Sequence, residues 1–104
     1  MADYNCPHTP LAEVHAKVVA GDWHIRREAQ IDALAVSETL SVRSCLLALT
    51  PQHFHKAMDA EEPKWKGAIQ DVYKPTFQGF PLYVKFQVWP LQSRFLLVVS
   101  FKEQ

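Results

Sequence analysis

The sequence predicts an α+β fold, with N-terminal helices packed on one face of a C-terminal antiparallel β-sheet. Three observations carry that prediction. Up to about residue 58, apolar side chains recur mainly at helical spacing. From Ile69 they recur at the period of two that marks strands, and the two regimes do not alternate along the chain. The third observation is the segment Pro81–Trp89, where Leu82, Val84, Phe86 and Val88 point to one side and Tyr83, Lys85 and Gln87 to the other. That strand has one apolar face for a core and one polar face for solvent or a ligand.

Taken in order, residues 1–8 read as a flexible or partly ordered tail of a single domain spanning 1–104. Thr9-Pro10 then predicts a helix start, with threonine as cap and proline at the first helical position. Leu11, Val14, His15 and Val18 form one helical face, and Gly21 supplies the stop. The short segment 22–25 is an edge strand or a turn. Residues 26–35 are rich in helix formers, with Ile31 and Leu34 on the expected buried side. Ser41 caps a further stripe of Val42, Cys45, Leu46 and Leu49. Thr50-Pro51 repeats the start signal, and Leu49 with Phe54 fits a hydrophobic staple. A short helix carrying residues 53–58 is therefore expected, with Phe54, Ala57 and Met58 toward the core. Residues 59–66 read as a charged loop. Residues 69–77 are a strand broken at Pro75, and Gln78-Gly79 is a turn. Residues 90–93 form another turn. Residues 94–102 close the sheet as a central strand, with Phe95, Leu97, Val99 and Phe101 as its main apolar face.

Composition narrows the function classes. Of 104 residues, 48% are hydrophobic and 21% charged, which is ordinary for a soluble domain. No apolar run approaches the ~20 residues of a membrane helix. The N-terminus lacks the basic and apolar regions of a signal peptide, so a cytoplasmic location is expected. Residues 1–52 carry a net −2 and residues 53–104 a net +2, far short of the basic stripe of a dedicated nucleic-acid binder. Neither His53/His55 nor Cys6-Pro7-His8 has a second ligand pair at metal-binding spacing, so no metal site or cofactor is expected. Cys45 reads as a buried small residue. No phosphate loop or serine-hydrolase elbow is present. Trp65, between Lys64 and Lys66, is the best candidate for stacking on a base. Lys56, Gln70, Tyr83 and Lys102 are each unremarkable as single polar residues.

Specific words join them. Pro7-His8-Thr9, Phe54-His55-Lys56-Ala57-Met58, Gln70-Asp71-Val72-Tyr73-Lys74-Pro75, Tyr83-Val84-Lys85 and Val99-Ser100-Phe101-Lys102-Glu103 occur in one order. Together they resemble the MqsR (motility quorum-sensing regulator) family of type II toxins. The resemblance runs over nearly the whole chain from Pro7. It implies a RelE/YoeB-like fold and an mRNA interferase, with Lys56, Gln70, Tyr83 and Lys102 as active-site residues. His55, Tyr73, Lys74, Lys85 and Trp65 are auxiliary or RNA-binding candidates. It also implies preference for GC-containing triplets such as GCU in single-stranded mRNA. The implied partner is a separately encoded antitoxin of the MqsA type, zinc-binding with a helix-turn-helix domain, and the free toxin is expected to be a monomer. Two departures stand out: His55 where the family often has tyrosine, and a longer turn at residues 89–94.

The chemistry such a site must perform is attack of the RNA 2′-hydroxyl on the adjacent phosphorus, with loss of the 5′-oxygen. One proton is removed, one is delivered, and extra charge on phosphate is stabilised; the scheme requires no metal. Lys56 and Lys102 are expected to supply charge, one of them also serving as base. Tyr83 is the expected proton donor or orienter, Gln70 a phosphate contact and His55 an auxiliary acid–base group. Reference pKa values of ~10.4 for lysine and ~10 for tyrosine lead to the expectation that clustering lowers both. The competing class is a catalytically silent RNA- or protein-binding module of the same fold. A DNA-binding regulator is disfavoured by the neutral charge and the lack of a clear recognition helix.

Overall fold

The computed structural model describes residues 3–88 and 95–104; the expected turn at 90–93 and the longer 89–94 connection lie outside them. In chain order the elements are β1 (Asp3–Tyr4), α1 (Leu11–Ala20), β2 (Trp23–Ile25), α2 (Arg27–Val36), α3 (Val42–Ala48), β3 (Phe54–Asp59), β4 (Ile69–Tyr73), β5 (Thr76–Phe77), β6 (Phe80–Val88) and β7 (Leu96–Glu103). The sheet runs β1-β3-β4-β6-β7-β2, with β5 paired to β6. All pairings are antiparallel except β2 with β7, which is parallel. The sheet is therefore mixed rather than purely antiparallel, because the segment between the first two helices adds an edge strand beside β7. The α+β class holds.

Several local signals work as chemistry demands. Gly21 adopts φ 80°, and the backbone bonds Gly21 N–H to Val18 O (3.2 Å) and Asp22 N–H to Lys17 O (2.8 Å) close a Schellman end on α1. Ser41 Oγ accepts from the Ser44 amide at 3.1 Å and caps α3. Gln78 (φ 54°) and Gly79 (φ 84°) form the two-residue turn of the β5–β6 hairpin, and positive φ at both centres gives a turn whose twist matches that of the strands. The core joins Val14 and Val18 of α1 and Cys45 and Leu46 of α3 to Tyr73, Leu82, Val84 and Phe86 of the sheet.

Four expectations are corrected. Helix α1 begins one residue later, with Pro10 at the cap; Thr9 is held elsewhere, because its amide donates to the buried Asp71 carboxylate. Helix α2 turns Ala29 and Ala33 to the sheet and leaves Ile31 and Leu34 more than half exposed. Two alanines at i, i+4 let the helix lie close on β7, which the bulkier stripe would prevent. The expected helix over 53–58 is a single 3₁₀ turn, Pro51–His53, closed when the Thr50 amide donates to His53 Nδ1 at 3.0 Å. Strand β3 follows, because ladder bonds to β1 and β4 on its two sides outweigh local helix preference. On β7, the pairings Lys85↔Ser100 and Phe86↔Val98 leave Val99 as an extra residue. That bulge shifts the alternation, so Leu96, Val98 and Phe101 enter the core, in place of Phe95, Leu97 and Val99. The strand is interior to the sheet, as expected.

Candidate active site on the outer face of the sheet

The register places the candidate residues on the face away from the helices. Lys56 of β3 pairs with Val72 of β4, Val72 with Lys85 of β6, and Lys85 with Ser100 of β7. One row thus crosses four strands, with two lysines separated by a single valine. Neighbouring strands lie about 4.8 Å apart, so the Lys56 and Lys85 backbones are about 10 Å from each other. The next row contains Tyr83 opposite Lys102. The Lys102 ammonium lies 5.4 Å from the centre of the Tyr83 ring. Beside it is an open groove of ≈ 500 Å³ lined by Lys74, Tyr83, Lys102, Glu103 and Gln104. The chain end is tied down there: the Gln104 amide donates to Pro81 O at 2.9 Å, and its side chain to Leu82 O at 3.1 Å.

Three of the four principal candidates share this surface. Lys56 lies near enough to Tyr83 for its charge to act on the phenol, and its Nζ is 3.3 Å from Asp3 Oδ2 on β1. Within the N-terminal segment, β1 pairs with Met58 and Ala57, and Tyr4 donates its hydroxyl to Asp59 at 2.9 Å. Gln70 is on the same face but only 2% exposed; its Nε2 donates to Gln87 Oε1 at 2.7 Å. Gln70 and Gln87 are thus a buried amide pair rather than part of the open surface.

The word Gln70-Asp71-Val72-Tyr73 is split between the two faces. Gln70 and Val72 point outward. Asp71 and Tyr73 point to the helices. Tyr73 is fully buried, stacked on Phe86 at 5.5 Å and edge-on to Phe54, and burial pushes its phenol up to about 12. It therefore has no surface to offer RNA, contrary to its place among the binding candidates. Asp71 accepts the His8 and Thr9 amides at 2.8 and 3.0 Å and fixes the base of the N-terminal tail. Trp65 is nearly buried, with the Lys64 and Arg26 cations 4.8 and 5.3 Å from its ring, so a base would have to displace a cation to stack there. Arg26 also ion-pairs with Glu62 and tethers the 60–68 loop.

Electrostatics differ from the expectation at Tyr83. Burial raises its pKa above the ordinary value and Glu61 adds to the rise, while Lys56 opposes it. Lys85 moves the other way: burial lowers its pKa. His55, the extra residue of a bulge in β3, is lowered by partial desolvation and then by Lys74 and Lys56. Sequence reasoning missed Asp3, Asp71 and Gln87. Asp3 and Asp71 carry no motif beyond being acidic, and Gln87 looked like any solvated amide. Among the described residues no three His, Cys, Asp or Glu side chains stand together as a metal site, and no helix is long and apolar enough to cross a membrane.

No curated protein matches the chain. Residues 6–103 match the family described as motility quorum-sensing regulator, toxin of MqsA. That match spans both rows of the outer face and the helices that back them, and by it the chain belongs to the MqsR toxin family and is a toxin of a toxin–antitoxin system.

Proposed function

We infer that the chain is an endoribonuclease that cleaves single-stranded mRNA by attack of the RNA 2′-hydroxyl on the neighbouring phosphorus. The observation that carries this reading is the Tyr83–Lys102 pair across β6 and β7, lining an open groove with Lys74 and with Lys56 alongside. A phosphodiester needs this set of groups. Lysines supply mobile positive charge for the non-bridging oxygens, and a phenol held protonated by burial can give its proton to the leaving 5′-oxygen. Lys56 and Lys102 stabilise charge, Lys74 extends the phosphate track, and Tyr83 is the donor. Gln70 is buried in a hydrogen bond to Gln87 on the same face, and would reach a phosphate only if that pair opened. Unpaired RNA is the fitting substrate because bases in a duplex hide their edges and faces. Family membership supports GC-containing triplets such as GCU as cut sites, a zinc-binding MqsA-type antitoxin as partner, and action in the cytoplasm by a monomer.

The test is to incubate the purified toxin with a single-stranded GCU-containing oligoribonucleotide and identify the fragment ends. A 2′,3′-cyclic phosphate (or its hydrolysis product) with a 5′-hydroxyl is expected. Fragments with a 5′-phosphate would refute the scheme.

A further inference from the structure

We propose that Lys85, at the centre of the outer face, is the group that takes the proton from the attacking 2′-hydroxyl, while Tyr83, two residues before it, gives the proton to the leaving 5′-oxygen. The proposal rests on the ribonuclease reading above and assigns its proton transfers.

The geometry separates Lys85 from the other lysines. Lys56 is partnered by Asp3, and Lys102 is exposed beside the Tyr83 ring. Lys85 is half-buried and occupies the interior of the Lys56–Val72–Lys85–Ser100 row. It shares its face with Tyr83, and residues i and i+2 of a strand are about 6.8 Å apart. A phosphodiester lying over the strand can therefore meet one group on each side of phosphorus. The charged groups acting on Lys85 come from three elements: Lys102 on β7, Glu61 and Glu62 on the loop after β3, and Arg26 at the end of β2. Burial acts on it most strongly and favours the neutral amine, with Lys102 and Arg26 in support and the two glutamates opposed. Burial also holds Tyr83 in its protonated form. Two neighbouring groups are thus pushed in opposite senses, each toward the form that its role requires.

The step balances. The neutral Nζ of Lys85 accepts the 2′-hydroxyl proton as the 2′-oxygen bonds to phosphorus. The bond from phosphorus to the 5′-oxygen breaks, and that oxygen takes the phenolic proton of Tyr83. Lys85 ends with one more proton and Tyr83 with one fewer, and exchange with solvent resets both.

The experiment compares wild type, Lys85→Arg and Lys85→Cys under single-turnover conditions across pH, with the oligoribonucleotide above. Binding is measured on the same strand carrying a 2′-deoxy cut site. Lys85→Arg keeps the charge but cannot act as a base, so cleavage should fall about 10²-fold or more with binding little changed. Lys85→Cys, in a Cys6→Ser background, should be equally slow and should recover when alkylated with 2-bromoethylamine to the lysine analogue. Its more acidic amine should move the acid limb of the pH profile to lower pH. Cys45 is buried, its thiol pushed up to about 12, so the folded Cys6→Ser, Lys85→Cys protein has position 85 as its accessible thiol. Arginine cleaving like wild type, loss of binding in step with loss of cleavage, or an alkylated protein with no recovery would each overturn the assignment. Wild type cleaving nothing would remove the ribonuclease reading itself, a separate and distinguishable failure.

Discussion

The two faces of the sheet are built from the same strands and differ in what most of their side chains meet. On the inner face Leu82, Val84, Phe86 and Phe101 meet three helices and are fully buried. On the outer face their immediate neighbours Tyr83 and Lys102 line an open groove, and Lys85 is half-buried. Alternation along a strand sorts the core to one side and the candidate site residues to the other at no cost in chain length. The exceptions show what crossing over requires. Asp71 is a carboxylate on the inner face, tolerated because two backbone amides are bonded to it. Gln70 and Gln87 are buried on the outer face and bond to each other.

Substitutions on each face should break this division in order of size. Phe86→Ala removes a buried ring stacked on Tyr73 and should cost about 3–5 kcal/mol in denaturant unfolding, a large share of a typical domain's stability. A loss below about 1 kcal/mol would mean the inner face is not the core. Asp71→Ala strands two amides and should cost about 1–3 kcal/mol, with hydrogen exchange accelerating at His8 and Thr9; unchanged protection there would remove the clamp. Asp3→Asn breaks an exposed pair with Lys56 and should cost under about 1 kcal/mol. It should also tighten RNA binding slightly by freeing the lysine, and weaker binding would show that Asp3 helps the site. The smallest effect is in pH. Burial raises the Tyr83 pKa above 10.0 in the fold, so its contribution to stability is complete below pH 10 and is lost as pH rises through the folded value. The difference between wild type and Tyr83→Phe should therefore appear only in alkali.

Much of the fold could be read from the sequence because its signals are local. The Gly21 stop, the Ser41 cap, the Gln78-Gly79 turn and the alternation of β6 each depend on a few adjacent residues. The misreadings come from long-range pairing. Lys56 sits on a strand because β3 is flanked by β1 and β4, which the Thr50-Pro51 start signal cannot anticipate. The β7 face was misassigned because a bulge at Val99 is visible only in its register with β6. Residues Lys56, Gln70, Tyr83 and Lys102 were legible only through the family words, since nothing in a lone lysine or glutamine announces its row partners. The burial of Gln70 and Tyr73 was illegible for the same reason: the Gln-Asp-Val-Tyr word runs across both faces.

The most direct measurement of the division between faces is Lys102→Met, followed by RNA cleavage and unfolding free energy on the same sample. If the outer face carries the chemistry, cleavage falls about 10²-fold or more while stability moves by less than about 1 kcal/mol. Full cleavage in a stable Lys102→Met protein would contradict the account.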